Sequence, residues 1–483
     1  MPRIKNKGFD NSAQFAILAP LMKPIYLREL LLGSLLLVLG TGFSLAQEES
    51  ENWPRLRGPS ATGLPSNTEN PNLPDTWSKT ENIAWQVDVP GVGWSSPVVW
   101  SDKVFITTVT NDKEAENAQP QAGLYLGPGR KEIPSGEHEW LVYCFDLKTG
   151  KEIWKRSARK GRPPVGRHPK SCYAAETPVT DGERLYVLFG DVGLFCYDLE
   201  GKLLWTHDIK PKKTQADYGA AASPVVHDEQ VFYVYDNQGA SYIAALDTRT
   251  GTENWRVSRI EKSTWATPFI WETEDRTEIV VCGKQKILSY DLEGKVLWGL
   301  KGYMSNLVIP SPFVADGLLY IASGYVGDMH RPAFAIKPGA IGNMALEKGK
   351  PLPEAIEWYQ PKGGPYNTTP LVYDGLYYLL LDRGMLAAYD AKTGEMKYDR
   401  TRFPPPASFT SSPWAYNGKV FCLGEDGKTF VVQAGPKFEL LHINDLGPDM
   451  CMACPAIVGD RLLIRTQSKL WCVAKPQLHP NRD

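Results

Sequence analysis

A turn closed by a tryptophan recurs along this chain, and it limits the folds open to the sequence more than any other feature. The first copy runs Tyr143-Cys144-Phe145-Asp146-Leu147-Lys148-Thr149-Gly150-Lys151-Glu152-Ile153-Trp154. Variants ending in Trp return at 196–205, 245–255 and 289–298, and the copy at 388–398 ends in Tyr398. Each reads as a strand, a tight Thr-Gly or Glu-Gly turn and a second strand, with Gly supplying the positive φ that such turns need. A second marker is a small residue followed by Pro and an apolar pair. It occurs at Ser96-Pro97, Thr177-Pro178, Ser223-Pro224, Thr267-Pro268, Ser311-Pro312, Thr369-Pro370, Ser412-Pro413 and Cys454-Pro455. The spacings are 81, 46, 44, 44, 58, 43 and 42 residues. A period near 43 with two expanded copies matches a four-stranded propeller blade and not a helical repeat.

Within one period the four strands can be assigned. Strand A holds the marker Pro, a short Asp- or Gly-rich turn follows, strand B is apolar, strand C ends at the Tyr-Asp or Leu-Asp pair, and strand D carries the Trp. Proline cannot donate a ladder hydrogen bond, so strand A belongs where one edge is unpaired, at the central channel. The last period supplies only three strands, and an orphan alternating strand at 82–89 is the missing fourth. The expectation is all-β: an eight-bladed β-propeller of four-stranded blades, its ring closed by an N-terminal strand that removes the open edge.

With 483 residues and a net charge of −2, the chain has ample core and no basic stripe, which argues against nucleic acid as a partner. Its 43 Gly and 38 Pro suit many short strands joined by turns. Lys23 and Arg28 precede an apolar run at 30–39 and a small-x-small site at Ser44-Leu45-Ala46, the pattern of an export signal, with Met22 a plausible start. That run is shorter than the ~20 residues of a membrane span. The expected division is therefore a signal peptide at 1–46, an extended lead-in at 47–81, the propeller at 82–475 and a tail at 476–483. The mature chain is expected outside the cytoplasm, periplasmic or secreted, without an integral span, and monomeric. The eight cysteines do not form a disulfide framework by placement. Cys144, Cys196 and Cys472 share one repeat position with Ala245, Ser289 and Ala388, which reads as a small buried hydrophobe. Cys451 and Cys454 form a lone CxxC, read as strand packing with a disulfide or redox pair as the alternative.

The Asp-x-x-Thr-Gly-x-x-x-Trp element resembles the tryptophan-docking repeat of the pyrroloquinoline-quinone-binding-like propellers. That superfamily includes quinoprotein alcohol dehydrogenases and the outer-membrane barrel-assembly lipoprotein. The resemblance covers about 82–475, and Asn52-Trp-Pro-Arg-Leu-Arg-Gly-Pro59 and Ala335-Ile-Lys-Pro-Gly339 look like a secreted bacterial subgroup. It implies that Trp85, Trp154, Trp205, Trp255, Trp298 and Trp358 are structural, each packing between neighbouring blades. The repeat's Asp residues are expected to accept backbone hydrogen bonds in the C–D turns.

Chemistry is sought where the chain departs from the repeat. The D–A and B–C loops share one face and carry the irregular length, so the functional mouth is expected there. Three segments qualify: the long B–C connection of blade one (110–140), the basic stretch Arg159, Lys160, Arg162, Arg167, His168 and Lys170, and the cluster Tyr325, Asp328, His330 and Arg331. The basic stretch reads as a solvated loop or as an anion or acidic-sugar contact. Just before the marker prolines, Glu176, Asn367, Tyr366, Trp94 and Trp265 are placed at the channel mouth. Glu176 and Asn367 offer the oxygens that Ca²⁺ takes, and Trp94 or Trp265 offers a stacking face for a quinone or a sugar. An enlarged C–D connection of blade five, 338–355, is expected on the opposite face, against a partner or over the channel floor.

Two functions fit. One is a non-catalytic exported module that binds or scaffolds protein or polysaccharide. The other is an oxidoreductase of alcohols or sugars that uses pyrroloquinoline quinone and Ca²⁺. Against the second stand the absence of a Cys-Cys dipeptide and of a Cys-x-x-Cys-His haem segment.

Overall fold

In the computed structural model, residues 52–113, 122–125, 127, 133–302 and 304–476 are described; the expected signal peptide and all but the first residue of the tail lie outside them. Eight sheets, each built on four antiparallel strands, follow one another along the chain, and in the first seven those four strands are ordered outward in sequence from A to D. Blade one is Val98–Trp100, Lys103–Asn111, His138–Asp146 and Glu152–Gly161. Blade eight takes Ala456–Val458, Arg461–Arg465 and Lys469–Val473 from the end of the chain, and its outer strand Ile83–Asp88 from the beginning. The eight-bladed ring and its N-terminal closure are as the repeat predicts.

The sheets bury both faces in their middle strands, because each blade is sandwiched between two others. Val104, Phe105 and Ile106 of one strand B are all fully buried, as are Val231, Phe232 and Tyr233 of another. Continuous apolar runs in strand B are therefore what a propeller demands, and alternation survives only in the outer strands. Among the described residues no helix is long and apolar enough to cross a membrane. All eight cysteines are free thiols, seven of them buried.

The repeated Trp and the repeated Gly explain each other. Trp85, Trp154, Trp205, Trp255 and Trp358 each donate the indole N–H to a carbonyl in the C–D turn of the following blade: Leu147, Leu199, Thr248, Leu292 and Ala391, at 2.7–3.0 Å. The ring then lies against that turn's glycine. A Cβ on Gly150, Gly201 or Gly251 would come within 2.4–2.7 Å of the Trp of the preceding blade. The turn aspartates behave as expected, Asp146 and Asp247 accepting the N–H of Thr149 and Thr250 at 2.7 and 2.8 Å.

Trp298 departs from this pattern. It is fully buried but donates to Glu278 of its own blade at 2.6 Å. The turn it would meet is the enlarged connection of blade five, where no Asp-x-x-Thr-Gly turn exists. That connection does not cover the channel floor. Gly342–Ala345 pairs in parallel with Val296–Lys301, making a fifth strand on the outer edge of blade four. An unpaired edge accepts any extended backbone that reaches it, and this insertion reaches its neighbour's.

Candidate functional site

The eight marker residues meet on the axis. Ser96 N–H donates to Thr177 Oγ1, Thr177 to Ser223, Ser223 to Thr267, Thr267 to Ser311, Ser311 to Thr369 and Thr369 to Ser412, at 2.8–3.1 Å. Ser412 N–H then donates to the Cys454 thiol at 3.4 Å, and Cys454 N–H to Ser96 Oγ at 3.0 Å. The result is a closed belt in which every blade hands one backbone donor to the side chain of the next. The small residue before each Pro is thus a blade-to-blade connector.

Above the belt opens a cavity of about 270 Å³, lined by the belt residues and by D–A and B–C loops. This is the face expected to be the mouth. The lead-in closes the other end. It runs along the A–B turns, where Asn417 N–H donates to Thr68 O and Asn70 to Gly459 O, and it places Leu56 and Arg57 against the cavity floor. Arg57 is buried and donates to the carbonyls of Pro370 and Pro413 at 3.0 and 3.2 Å. Burial lowers its guanidinium to about 10, an effect the Cys454 thiol beside it partly offsets.

The upper wall is aromatic. Trp94 and Trp265 tie their indole N–H groups to Lys170 O and Gly219 O, at 2.9 and 2.8 Å, which leaves the ring faces for the cavity. His168 stands edge-on to Tyr125 and Tyr218, with centroids 5.0 and 4.8 Å away, and Tyr366 to Tyr325 at 5.1 Å. Burial, with Lys170 and Arg167 nearby, lowers His168 to about 4, so it is neutral at pH 7. Across the mouth the Glu425 carboxylate accepts from Lys170 Nζ at 2.7 Å, from Gly123 N–H at 2.7 Å and from the Thr410 hydroxyl. It thereby ties loops of blades one, six and seven. Two polar side chains offer free atoms to the cavity. Asp382 is 7% exposed and its Oδ2 accepts no hydrogen bond, and burial raises its carboxyl above the usual range. The Asn367 amide lines the same cavity with no side-chain hydrogen bond.

A family model described as outer membrane protein assembly factor BamB matches residues 138–333. Among solved structures, a europium-containing methanol dehydrogenase aligns over 88% of this chain and 98% of its own, with a TM-score of 0.59 and 10% identity. The quinohemoprotein alcohol dehydrogenase of Comamonas testosteroni aligns over 89% and 82%, with a TM-score of 0.56 and 14% identity. BamB from Moraxella catarrhalis aligns over 82% and 100%, with a TM-score of 0.52 and 11% identity. The fold is that of these β-propellers, and over 138–333 the sequence resembles the assembly-factor family. Among curated proteins none matches the chain. At such identities the likeness carries the fold and no activity.

Of the residues expected at the propeller's mouth, Trp94, Trp265, Asn367 and Tyr366 line the cavity. Glu176 does not. It sits behind the wall, 3% exposed, accepting Gly190 N–H at 3.0 Å, and burial raises its carboxyl to about 8. Glu176 and Asn367 are therefore not a shared Ca²⁺ pair. Among the described residues no three His, Cys, Asp or Glu side chains converge as a metal site. In the basic stretch after Trp154, Lys170 is taken by Glu425 of blade seven, and Arg167 by Ser171 O and the Tyr173 ring. Of the long blade-one connection, 114–121, 126 and 128–132 lie outside the described residues, while Gly123, Leu124 and Tyr125 reach the cavity. Asp382 and Glu425 were missed by sequence reasoning. Each sits in a short B–C turn of regular length, so nothing in the spacing sets it apart.

Proposed function

We propose that this chain is an exported, non-catalytic binding propeller that takes the end of a polysaccharide into its axial cavity. The observation that supports it is the aromatic-walled cavity, closed below by Arg57 and lined by the Asn367 amide and by Asp382, whose Oδ2 is buried without a donor. A sugar ring has the matching chemistry: an apolar face for Trp94 or Trp265, and hydroxyl donors for a carboxylate that lacks one. A blind cavity takes a chain end and not the middle of a polymer.

The oxidoreductase reading keeps one favourable observation, since the flat faces of Trp94 and Trp265 also suit a quinone. The donor set fits it less well. Glu176 is turned away from the cavity, and Glu425 is saturated by Lys170, Gly123 and Thr410. Calorimetric titration of the full chain separates the two. Binding of oligosaccharides that Trp265→Ala or Asp382→Asn weakens is expected. Tight binding of pyrroloquinoline quinone with Ca²⁺ and alcohol-dependent dye reduction, with no saccharide bound, would overturn the binding-module reading.

A further inference from the structure

Beside Asp382, on the rim between blades five and six, the structure gathers positive charge that no salt bridge among the described residues pairs. Arg331 comes from the B–C loop of blade five, Arg383 from the B–C turn of blade six, and Arg400 from the outer strand Met396–Arg402. Backbone bonds hold these segments together. Arg331 N–H donates to Pro361 O at 3.0 Å, Gly364 N–H to Arg331 O at 2.7 Å, and Arg400 Nη2 to Lys362 O at 2.9 Å. Arg402 Nη1 adds a bond to Arg383 O at 3.0 Å. None of these four arginines is in an ion pair within the described structure, although the chain has slightly more acidic than basic residues.

Arg331 is the telling member. Its guanidinium makes no hydrogen bond, and its Nε, like that of Arg400, is buried without an acceptor. Burial disfavours its charge most, and Arg400 and, less strongly, Arg383 repel it. Asp382 and Asp328 offset part of this, but neither bonds to the guanidinium. Asp328 is taken by the Ser305 hydroxyl, Asn306 N–H and the Asn306 amide, and Asp382 stands in the cavity wall. Like charges held together with buried, unused donors are the signature of a site that an oxyanion completes, because guanidinium donors match carboxylate, sulfate or phosphate oxygens.

We propose that Arg331, Arg383 and Arg400 form an oxyanion subsite at the rim of the axial cavity, and that the ligand is an acidic saccharide whose carboxylate or sulfate lies there while its terminal ring enters the cavity. The saccharide half rests on the function proposed above; the oxyanion subsite stands on the arginines alone. The sugar's ring and its acidic substituent are thus read by two adjoining surfaces, one aromatic and one cationic.

Titrations of the full chain with sodium sulfate, a galacturonate hexasaccharide and a neutral glucan hexasaccharide test both halves. The acidic oligomer is expected to bind at least tenfold more tightly than the neutral one, with a preference that shrinks as NaCl is raised. Arg331→Gln, Arg400→Gln and the exposed Arg383→Gln are each expected to lose about tenfold for the acidic oligomer and for sulfate, with neutral binding and melting temperature unchanged. Equal affinity for the two oligomers, or arginine variants that bind the acidic oligomer as the parent does, would overturn the subsite and leave the polysaccharide reading standing. Arginine-dependent sulfate binding without any saccharide binding would retain the oxyanion subsite and overturn the saccharide.

Discussion

Glu176 shows how a buried side chain can look functional in a sequence and be structural in the fold. It follows two alanines and precedes the marker Thr177-Pro178, yet it points behind the cavity wall. Its carboxyl is raised from 4.5 to about 8, chiefly by burial, with Asp191 adding repulsion. A folded value above the unfolded one favours the protonated folded state. That advantage is complete below about 4.5 and is lost as the pH rises to 8. Glu176→Gln keeps the acceptor for Gly190 and cannot ionise. It is expected to melt with the parent at pH 4.5 and above it at pH 8, by a margin equivalent to a few kcal/mol; scanning calorimetry at both pH values reads the difference. Gly251 is constrained from two sides. Its φ is +70°, and an added Cβ would meet Trp205 at 2.4 Å. Gly251→Ala is expected to cost about 2–4 kcal/mol, by left-handed backbone strain and displacement of the indole, measured as a fall in the denaturation midpoint.

At the scale of elements, the belt of eight connectors joins each blade's strand A to that of the next. Seven positions use a hydroxyl and one the Cys454 thiol, a weaker acceptor at a longer distance. Cys454→Ser should therefore lie within about 1 kcal/mol of the parent, while Cys454→Ala leaves the Ser412 N–H unsatisfied and should cost about 1–3 kcal/mol. Chemical denaturation of both variants checks the pair; equal losses would show that the thiol is only packed. The fifth strand on blade four shows the converse effect, in which the chain uses an insertion to occupy an edge. That same insertion removes the turn against which Trp298 would have docked and leaves its indole to Glu278.

For the whole molecule, closure is the decisive event. Strand Ile83–Asp88 completes blade eight and sets Trp85 on the Gly150 turn of blade one, so one segment seals the ring on two sides. A chain starting at residue 90 is expected to lose its cooperative melting transition or melt far lower, and to associate as concentration rises, since an edge of blade eight is left open. Calorimetry with gel filtration at two concentrations tests this, and an unchanged monomer with the parent's transition would refute it.

The repeat alone determined the blade number, the closing strand, the docking role of five tryptophans and the face on which the mouth opens. These follow from local rules of period, turn chemistry and proline's missing donor, which act between residues close in sequence. The marker's Ser and Thr were visible, but not the belt they form, because a hydrogen bond between residues some 44 positions apart exists only once the ring has closed. One residue of register separates the candidates. Trp94, Trp265 and Asn367 stand two before their markers and line the cavity. Glu176 stands one before, aligned with buried Ser95 and Thr368, and successive side chains of an extended segment face opposite ways. The pairing of Lys170 with Glu425, 255 residues apart, and the meeting of Arg331, Arg383 and Arg400 were, like the belt, decided by the tertiary structure. Charge acts through space, and only the folded ring sets those distances.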